Sequence, residues 1–186
     1  MYINNLITGT MTLGSGGSTP AGHAKTIITL TDDSTVEYEW SGTLTKQMFE
    51  NVGLWEGGSL WGVNNPMDEL DIGNTMTSIG EGALQDCYVL TSVTIPDSVT
   101  SIGDNAFYDC IALTNVTIGN GVTTIGDGAF HGCNLSTITI HKNKNEVKNI
   151  GLGFIGDGDT DIMVICSNGT LTIGFDDMGE AYWKEN

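Results

Sequence analysis

Three cysteines recur at one spacing, and thiols are the side chains of this chain best suited to redox or metal chemistry. Cys87, Cys110 and Cys133 lie 23 residues apart, so each occupies the same place in a repeating unit. Stacked units would bring neighbouring thiols within the Cα distance of a disulfide. Free cysteine is also among the most buried residue types, so a ladder of reduced thiols explains the same spacing. Both interpretations stay open, whereas zinc lacks support because no Cys-x-x-Cys pair occurs.

Hydrolytic chemistry requires a nucleophile beside a base, or a pair of carboxylates across a substrate. Glu37 and Glu39 are two residues apart and would share one face of a strand, where a solvated edge explains them as well. The histidines are His23, His131 and His141, and they belong to neither a Gly-x-Ser-x-Gly nor a His-Glu-x-x-His motif. We therefore expect a protein that is not an enzyme and has no catalytic residues.

Alternating aspartates near the C-terminus resemble the beginning of a calcium loop. Asp157, Asp159 and Asp161 have the spacing of the first EF-hand ligands. Ile162 stands where that loop needs glycine, and Asn168 stands where it needs glutamate. A loop rich in Asp and Gly and a weak surface calcium site both stay open, and we predict neither a structural metal nor a cofactor.

The charge balance limits the class of partner. The 186 residues carry 23 acidic side chains, six lysines and no arginine, which gives a net charge of −17. Such a chain is poorly equipped to grip phosphates, so nucleic acid and anionic lipid are not expected as partners. No apolar run approaches the roughly 18 residues of a membrane span, so we expect no membrane insertion. The first residues lack the pattern of a signal peptide, so we expect synthesis in the cytoplasm.

An internal repeat dominates the chain between residues 67 and 140. Ile79, Ile102 and Ile125 are 23 residues apart, and Leu84, Phe107 and Phe130 follow the same step. A period of 20–29 residues with an L-x-x-L-x-L strand is the leucine-rich-repeat pattern. The match is most complete in the second unit, where it is carried by Leu90, Val93, Ile95, Val99, Ile102, Gly103, Ala106, Phe107 and Cys110.

The unit L-x-x-[VI]-x-[IL]-P/G-x-x-V-x-x-I-G-x-x-A-F-x-x-C resembles the BspA-like, or Treponema-type, leucine-rich repeat. Such repeats resemble those of bacterial surface proteins and of phage-encoded proteins. The resemblance implies a mainly β fold: a leucine-rich-repeat solenoid of stacked parallel strands, with short helical or 3-10 turns on the other side and β-hairpin flanks. A looser fourth unit follows, with Val147 and Ile150 at the V-x-x-I-G step and Phe154 and Ile155 in the Ala-Phe positions.

Three regions are predicted. Residues 1–66 form an N-terminal arm and a β-hairpin cap, residues 67–155 form the repeats, and residues 156–186 form a C-terminal capping hairpin and tail. Alternating apolar residues predict the first hairpin over 24–40, and Asn168-Gly169 is typical of the turn in the second. A short helix is expected after Thr45. Trp55 and Trp61 lie in LWEGGSLWG, where a cap on the first repeat, a subunit interface and a ligand contact all stay open.

The polar positions of the repeat strands are the predicted binding site. They alternate with the apolar ladder and would form the concave face, which is the usual ligand platform of a solenoid. Threonine is also simply a good exposed strand residue, so this composition alone does not select a ligand. The predicted positions are Glu69, Asp71, Ser92, Thr94, Asn115, Thr117, Thr137 and Thr139.

We therefore predict a non-enzymatic structural or binding protein. Our first hypothesis is a bacteriophage virion component, such as a fibre, decoration or tail-associated subunit, that presents a leucine-rich-repeat recognition surface. The alternative is a bacterial surface adhesion or protein-binding module. The expected partners are other protein subunits or a cell-surface protein or glycan, and homo-oligomerisation stays open. The corresponding locations are a virion or, failing that, the bacterial cell surface.

Overall fold

The structure is a computed structural model in which parallel strands stack into a solenoid. It describes residues 13–15, 25–30, 34–51, 67–148, 150, 153–155 and 161–184. The strands are β1 (Leu13–Ser15), β2 (Thr26–Leu30), β3 (Ser34–Tyr38), β4 (Gly42–Leu44), β5 (Met67–Asp71), β6 (Met76–Ile79), β7 (Ser92–Ile95), β8 (Ser101–Ile102), β9 (Asn115–Ile118), β10 (Thr124–Ile125), β11 (Thr137–Ile140), β12 (Ile162–Cys166), β13 (Gly169–Phe175) and β14 (Ala181–Trp183). Two short helices are α1 (Lys46–Asn51) and α2 (Lys144–Lys148).

Ten of the strands form one sheet, in the order β1-β3-β2-β5-β7-β9-β11-β12-β13-β14. The central strands β5, β7, β9, β11 and β12 are parallel neighbours. Each repeat forms one coil of the solenoid, and each coil brings the chain back to the same side, beside the strand of the coil before. Antiparallel hairpins extend the sheet at both ends, β2–β3 before the repeats and β12–β13 after them. The predicted solenoid with hairpin flanks is therefore confirmed.

Identical or similar side chains stack inward from these strands. Alternation places Val93 and Ile95 in the core, and the 23-residue period places their equivalents beside them in register. One ladder consists of Leu70, Val93, Val116, Ile138 and Val164, and the second consists of Ile72, Ile95, Ile118, Ile140 and Cys166. All ten side chains are buried, so that each coil covers the apolar surface of the next.

The opposite wall of the core contains a second sheet that the sequence did not predict. It has four parallel strands in the order β10-β8-β6-β4. β8 and β10 are two residues long, and Ile79 and Ile102 pack from this wall into the core. A two-residue strand is too short to show alternation, so its sequence resembles that of a turn.

The segments after this second sheet were expected to be short helical or 3-10 turns. They contain i→i+3 backbone hydrogen bonds, such as Ala106 N to Gly103 O at 3.3 Å and Tyr108 N to Asn105 O at 3.0 Å. Continuous helix is prevented because Asn105 and Asp109 adopt left-handed φ values of 54° and 56°. The turns are therefore tight, non-helical corners, and backbone bonds such as Phe107 N to Ala129 O (2.7 Å) join one coil to the next.

The first coil is covered by the N-terminal hairpin and α1. Ile28 and Val36 face the core from the hairpin, and Phe49 of α1 is completely buried, with Trp40 packed edge-on at 5.2 Å. The buried hydroxyl of Thr26 accepts a hydrogen bond from Gly73 N at 3.1 Å, which ties the hairpin to the first coil. The predicted capping hairpin and the helix after Thr45 are both present.

The last coil is closed by the C-terminal hairpin. β12 pairs parallel to β11 and antiparallel to β13, so it belongs at once to the solenoid and to the hairpin. The Asn168-Gly169 pair was expected to supply the positive φ of the turn, and Gly169 supplies it, at 130°. Phe154 lies against Phe130, and its carbonyl accepts a hydrogen bond from Phe130 N at 2.7 Å. In the preceding coil, the Ala129 carbonyl accepts the equivalent hydrogen bond from Phe107 N.

Candidate ligand-binding face

The four strands β5, β7, β9 and β11 present polar side chains on the side of the ten-stranded sheet opposite the core. We call this side, together with its continuation on the neighbouring strands, the outer face. In β7 the burial alternates: Val93 and Ile95 point inward and are buried, whereas Ser92 and Thr94 are partly exposed. The same alternation in the other three strands places all eight residues predicted from the sequence on this face.

Strand register arranges these eight residues in two rows that cross the strands. The first row is Glu69, Ser92, Asn115 and Thr137, and the second is Asp71, Thr94, Thr117 and Thr139. Neighbouring strands in a sheet are about 4.8 Å apart, so an extended ligand could contact several side chains of one row. The geometry brings the predicted residues together, and their role in binding stays a prediction.

A ladder of hydroxyl groups anchors the edge at which these strands begin. Thr91 Oγ1 donates to the Asp68 carbonyl at 3.1 Å, and Thr114 Oγ1 donates to the Thr91 carbonyl at 3.4 Å. Ser136 Oγ repeats the contact with the Thr114 carbonyl at 3.4 Å. These hydrogen bonds join successive coils directly beside the outer face, so the face belongs to the hydrogen-bonded framework of the solenoid and not to a loop.

The N-terminal end of the outer face is acidic. Glu69 is exposed on β5, and the hairpin places Glu37 and Glu39 on the same side of the sheet. Lys25 Nζ donates to Glu37 Oε2 at 2.9 Å. That hydrogen bond, with the charges of Glu37 and Glu39, raises the pKa of Lys25. The carboxylate pair considered for catalysis therefore lies on the solvent side of the sheet, where Glu39 is exposed and Glu37 is paired with a lysine.

The C-terminal end of the outer face is apolar, which the sequence prediction missed. β12 continues both rows, because Met163 pairs with Thr137 and Ile165 pairs with Thr139. Met163 is 45% exposed and Ile165 is 38% exposed, while Ile162 and Val164 between them are buried. The alternation in Ile162–Cys166 could have revealed this pair, had the rows been extended beyond the last clear repeat.

Further residues continue the outer face beyond β12. Gly174 faces outward from β13, and a Cβ atom there would lie 2.6 Å from Cε of Lys184 and 3.1 Å from the Tyr182 ring. The stem of Lys184 and the Tyr182 ring therefore cover the glycine. The ammonium group of Lys184 forms an ion pair with Asp161, which raises the pKa of Lys184. This end of the face thus combines apolar surface with an internally paired charge.

Other candidates from the sequence lie elsewhere or outside the described residues. Trp55, Trp61 and the neighbouring LWEGGSLWG segment fall outside the described part of the chain. His131 stacks on Tyr108 at 5.0 Å in the corner turns, remote in the coil from the strands of the outer face. Within the described residues no group of three or more His, Cys, Asp or Glu side chains is arranged to hold a metal ion.

The cysteine ladder lies inside the solenoid, at the corners. Cys87 and Cys110 are buried, Cys133 is partly exposed, and all three are free thiols. Cys110 Sγ donates to the Leu84 carbonyl at 3.2 Å and Cys133 Sγ donates to the Phe107 carbonyl at 3.1 Å. Burial raises the pKa of Cys110, and the contact with Cys110 together with burial raises the pKa of Cys133. The thiols serve as packing groups that also satisfy turn carbonyls.

Comparison with known proteins adds one finding. The model of the BspA type leucine-rich repeat region matches residues 63–151, in six copies. This interval is almost half of the chain and contains the four strands of the predicted site. No curated protein and no solved structure matches the chain. Among the described residues, no helix is both long and apolar enough to cross a membrane.

Proposed function

We propose, from the premise that residues 63–151 are a BspA-type leucine-rich repeat region, that the protein is a binding module that takes a protein ligand on its outer face. Repeats of this family are typically non-enzymatic and suggest a protein-binding or adhesion role. The narrower prediction of a virion subunit gains no support from the family and stays a prediction. The bacterial surface role is the version of the proposal that the family favours.

One observation carries the proposal: the two rows of outward side chains are in register across four coils. Register of this kind follows from the inward ladders, but the outward side chains are free to vary without loss of the core. Here they form a continuous surface of hydroxyl, amide and carboxylate groups. Such groups can donate to and accept from a polypeptide backbone, and at these positions their strands hold them rigidly.

The direct test places bulk and charge in the middle of the face. Thr94→Arg combined with Thr117→Arg changes two neighbouring positions of one row, on β7 and β9. The matched control, Ser101→Arg with Thr124→Arg, changes neighbouring positions of the second sheet, on β8 and β10. Peptides selected from a random display library against the unmodified protein should lose binding to the first variant and keep it with the control.

Equal binding to both variants would contradict the proposal, provided that both unfold cooperatively at temperatures close to that of the unmodified protein. Binding that only the control abolishes would move the site to the second sheet. The two double variants add the same charge and nearly the same volume. A difference in binding between them therefore reports on where the ligand binds and not on the added bulk or charge.

A further inference from the structure

We infer that the ligand of the outer face is a polypeptide segment that is basic at one end and apolar at the other, and that it lies across the strands from β5 to β12. This inference rests on the proposed function and assigns the chemistry of its partner. Two independent features carry it: the exposed apolar pair at one end of the face and the carboxylates at the other.

The apolar end consists of Met163 and Ile165. Both are large, and their exposures of 45% and 38% are unusual beside the threonines that occupy the same rows in the preceding coils. Threonine at either position would preserve the strand, as Thr137 and Thr139 do on β11. The apolar surface is therefore not required by the fold, and a ligand that covers it would gain the free energy of burying both side chains.

The acidic end consists of Glu69, Asp71, Glu37 and Glu39. Register places Glu69 and Asp71 at the heads of the same two rows that end in Met163 and Ile165. Among the described residues, these four carboxylates outnumber the ammonium group beside them, that of Lys25, which forms an ion pair with Glu37. With a net charge of −17, the whole protein also attracts a basic segment at long range.

The distance between the two ends sets the length of the ligand. Glu69 and Met163 are four strand positions apart in one row, which corresponds to about 19 Å at about 4.8 Å per strand. An extended peptide rises about 3.3 Å per residue, so about six residues separate its basic and apolar side chains. The threonine, serine and asparagine side chains between the ends supply hydrogen-bonding groups along this path.

A second copy of this chain fits the face less well. Two copies related by a two-fold axis would bring either the two acidic ends together or each acidic end onto an apolar end. The first arrangement places like charges side by side, and the second removes water from carboxylates while the cation at the apolar end, Lys184, is already paired with Asp161. A basic and apolar polypeptide satisfies both ends at once.

The test is a selection of random twelve-residue peptides on the folded protein, followed by binding measurements with the enriched peptides at low and high salt. The acidic-end variant is Glu69→Gln with Asp71→Asn, and its control is Glu81→Gln with Asp177→Asn, at residues exposed elsewhere. The apolar-end variant is Met163→Thr with Ile165→Thr. Its control is Met178→Thr with Ile111→Thr, at side chains that are 83% and 56% exposed and lie outside the strands of the face.

We expect the enriched peptides to carry Lys or Arg about six residues from Leu, Ile or Phe. The acidic-end variant should bind them about tenfold more weakly and with less dependence on salt, because a removed charge contact acts mainly through electrostatics. The apolar-end variant should also bind about tenfold more weakly but keep the salt dependence. Both control pairs should change the affinity by less than about twofold.

Different failures have different meanings. Peptides that lose binding to Thr94→Arg with Thr117→Arg, but lack the basic and apolar pattern or ignore both end variants, would overturn this inference and leave the proposed function standing. Peptides that bind equally to the Thr94 and Thr117 variant would overturn the proposed function itself. A selection that enriches no peptide would also overturn the inference.

Discussion

Phe107 stacks on Phe130 across one coil, with ring centroids 4.9 Å apart and 5° between the ring planes. The two residues are 23 positions apart in sequence and occupy the same place in consecutive repeats. Both are buried, so each ring closes the space above its neighbour. This contact shows how the repeat builds a core: a position that is identical in successive coils becomes a stack.

Phe107→Ala should lower the free energy of unfolding by about 3–5 kcal/mol, because it removes a buried ring and leaves a cavity between coils. Chemical denaturation measures the loss. Ile111→Ala, at a side chain that is 56% exposed, should cost less than about 1 kcal/mol and serves as the control. A loss below about 1 kcal/mol for Phe107→Ala would show that the coil register is wrong.

Gly103→Ala should be more destabilising than Gly80→Ala, although both glycines occupy the same place in the repeat. A Cβ at Gly103 would lie 2.6 Å from Glu81 N in the preceding coil, a contact too short to keep without backbone movement. At Gly80 the nearest atom is Leu44 O at 3.1 Å. We expect a cost of about 1–3 kcal/mol at Gly103 and less at Gly80, measured by thermal unfolding; the reverse order would mean that neighbouring coils are not this close.

The cysteine ladder predicts how stability depends on pH. Burial raises the pKa of Cys110 well above the ordinary value of 9.0, so the folded thiol keeps its proton where the unfolded thiol loses it. The contribution of this group is full below about pH 9 and declines as the pH rises further, by up to about 1.4 kcal/mol per pH unit.

The measurement compares the unmodified protein with Cys110→Ala from pH 7 to pH 10.5. Groups that do not contact Cys110 affect both proteins alike, so the difference in unfolding free energy reports on Cys110 together with Cys133, whose pKa the Cys110 contact raises. We expect the unmodified protein to be the more stable at pH 7 and its advantage to shrink above about pH 9. A constant advantage across the range would show that the thiol is not desolvated.

The repeat period made most of the fold predictable. The inward positions of β7 and β9 were assigned from alternation and a 23-residue step, because identical coils must place identical side chains together. The hairpins were recognised from alternation on either side of a short turn. These features are local or strictly periodic, so one sequence is enough to reveal them.

The second sheet and the corner turns could not be predicted in the same way. β8 consists of Ser101 and Ile102 alone, and its pairing depends on contacts between coils rather than on any local pattern. At the corners, Asn105 and Asp109 adopt left-handed conformations, which short polar side chains tolerate and which interrupt the expected helical turn. Sequence spacing does not distinguish these corners from 3-10 turns.

The candidate site was predictable only in its repetitive part. The eight polar residues follow from alternation in four similar strands, whereas Met163 and Ile165 lie on a strand that follows an irregular coil. Their place at the end of both rows depends on the parallel pairing of β12 with β11. From the sequence, β12 was predicted only as the first strand of a hairpin. The sequence alone therefore did not reveal that one end of the outer face is acidic and the other apolar.

The most direct test of binding on the outer face is methyl NMR with labelled methionine and isoleucine, during titration with a peptide selected on the folded protein. Met163 and Ile165 report on the outer face, and Met178 and Ile111 report on exposed surface outside its strands. We predict that the methyl signals of Met163 and Ile165 shift in proportion to peptide occupancy while those of Met178 and Ile111 stay unchanged. Shifts confined to Met178 or Ile111 would contradict the account and place the ligand on another surface.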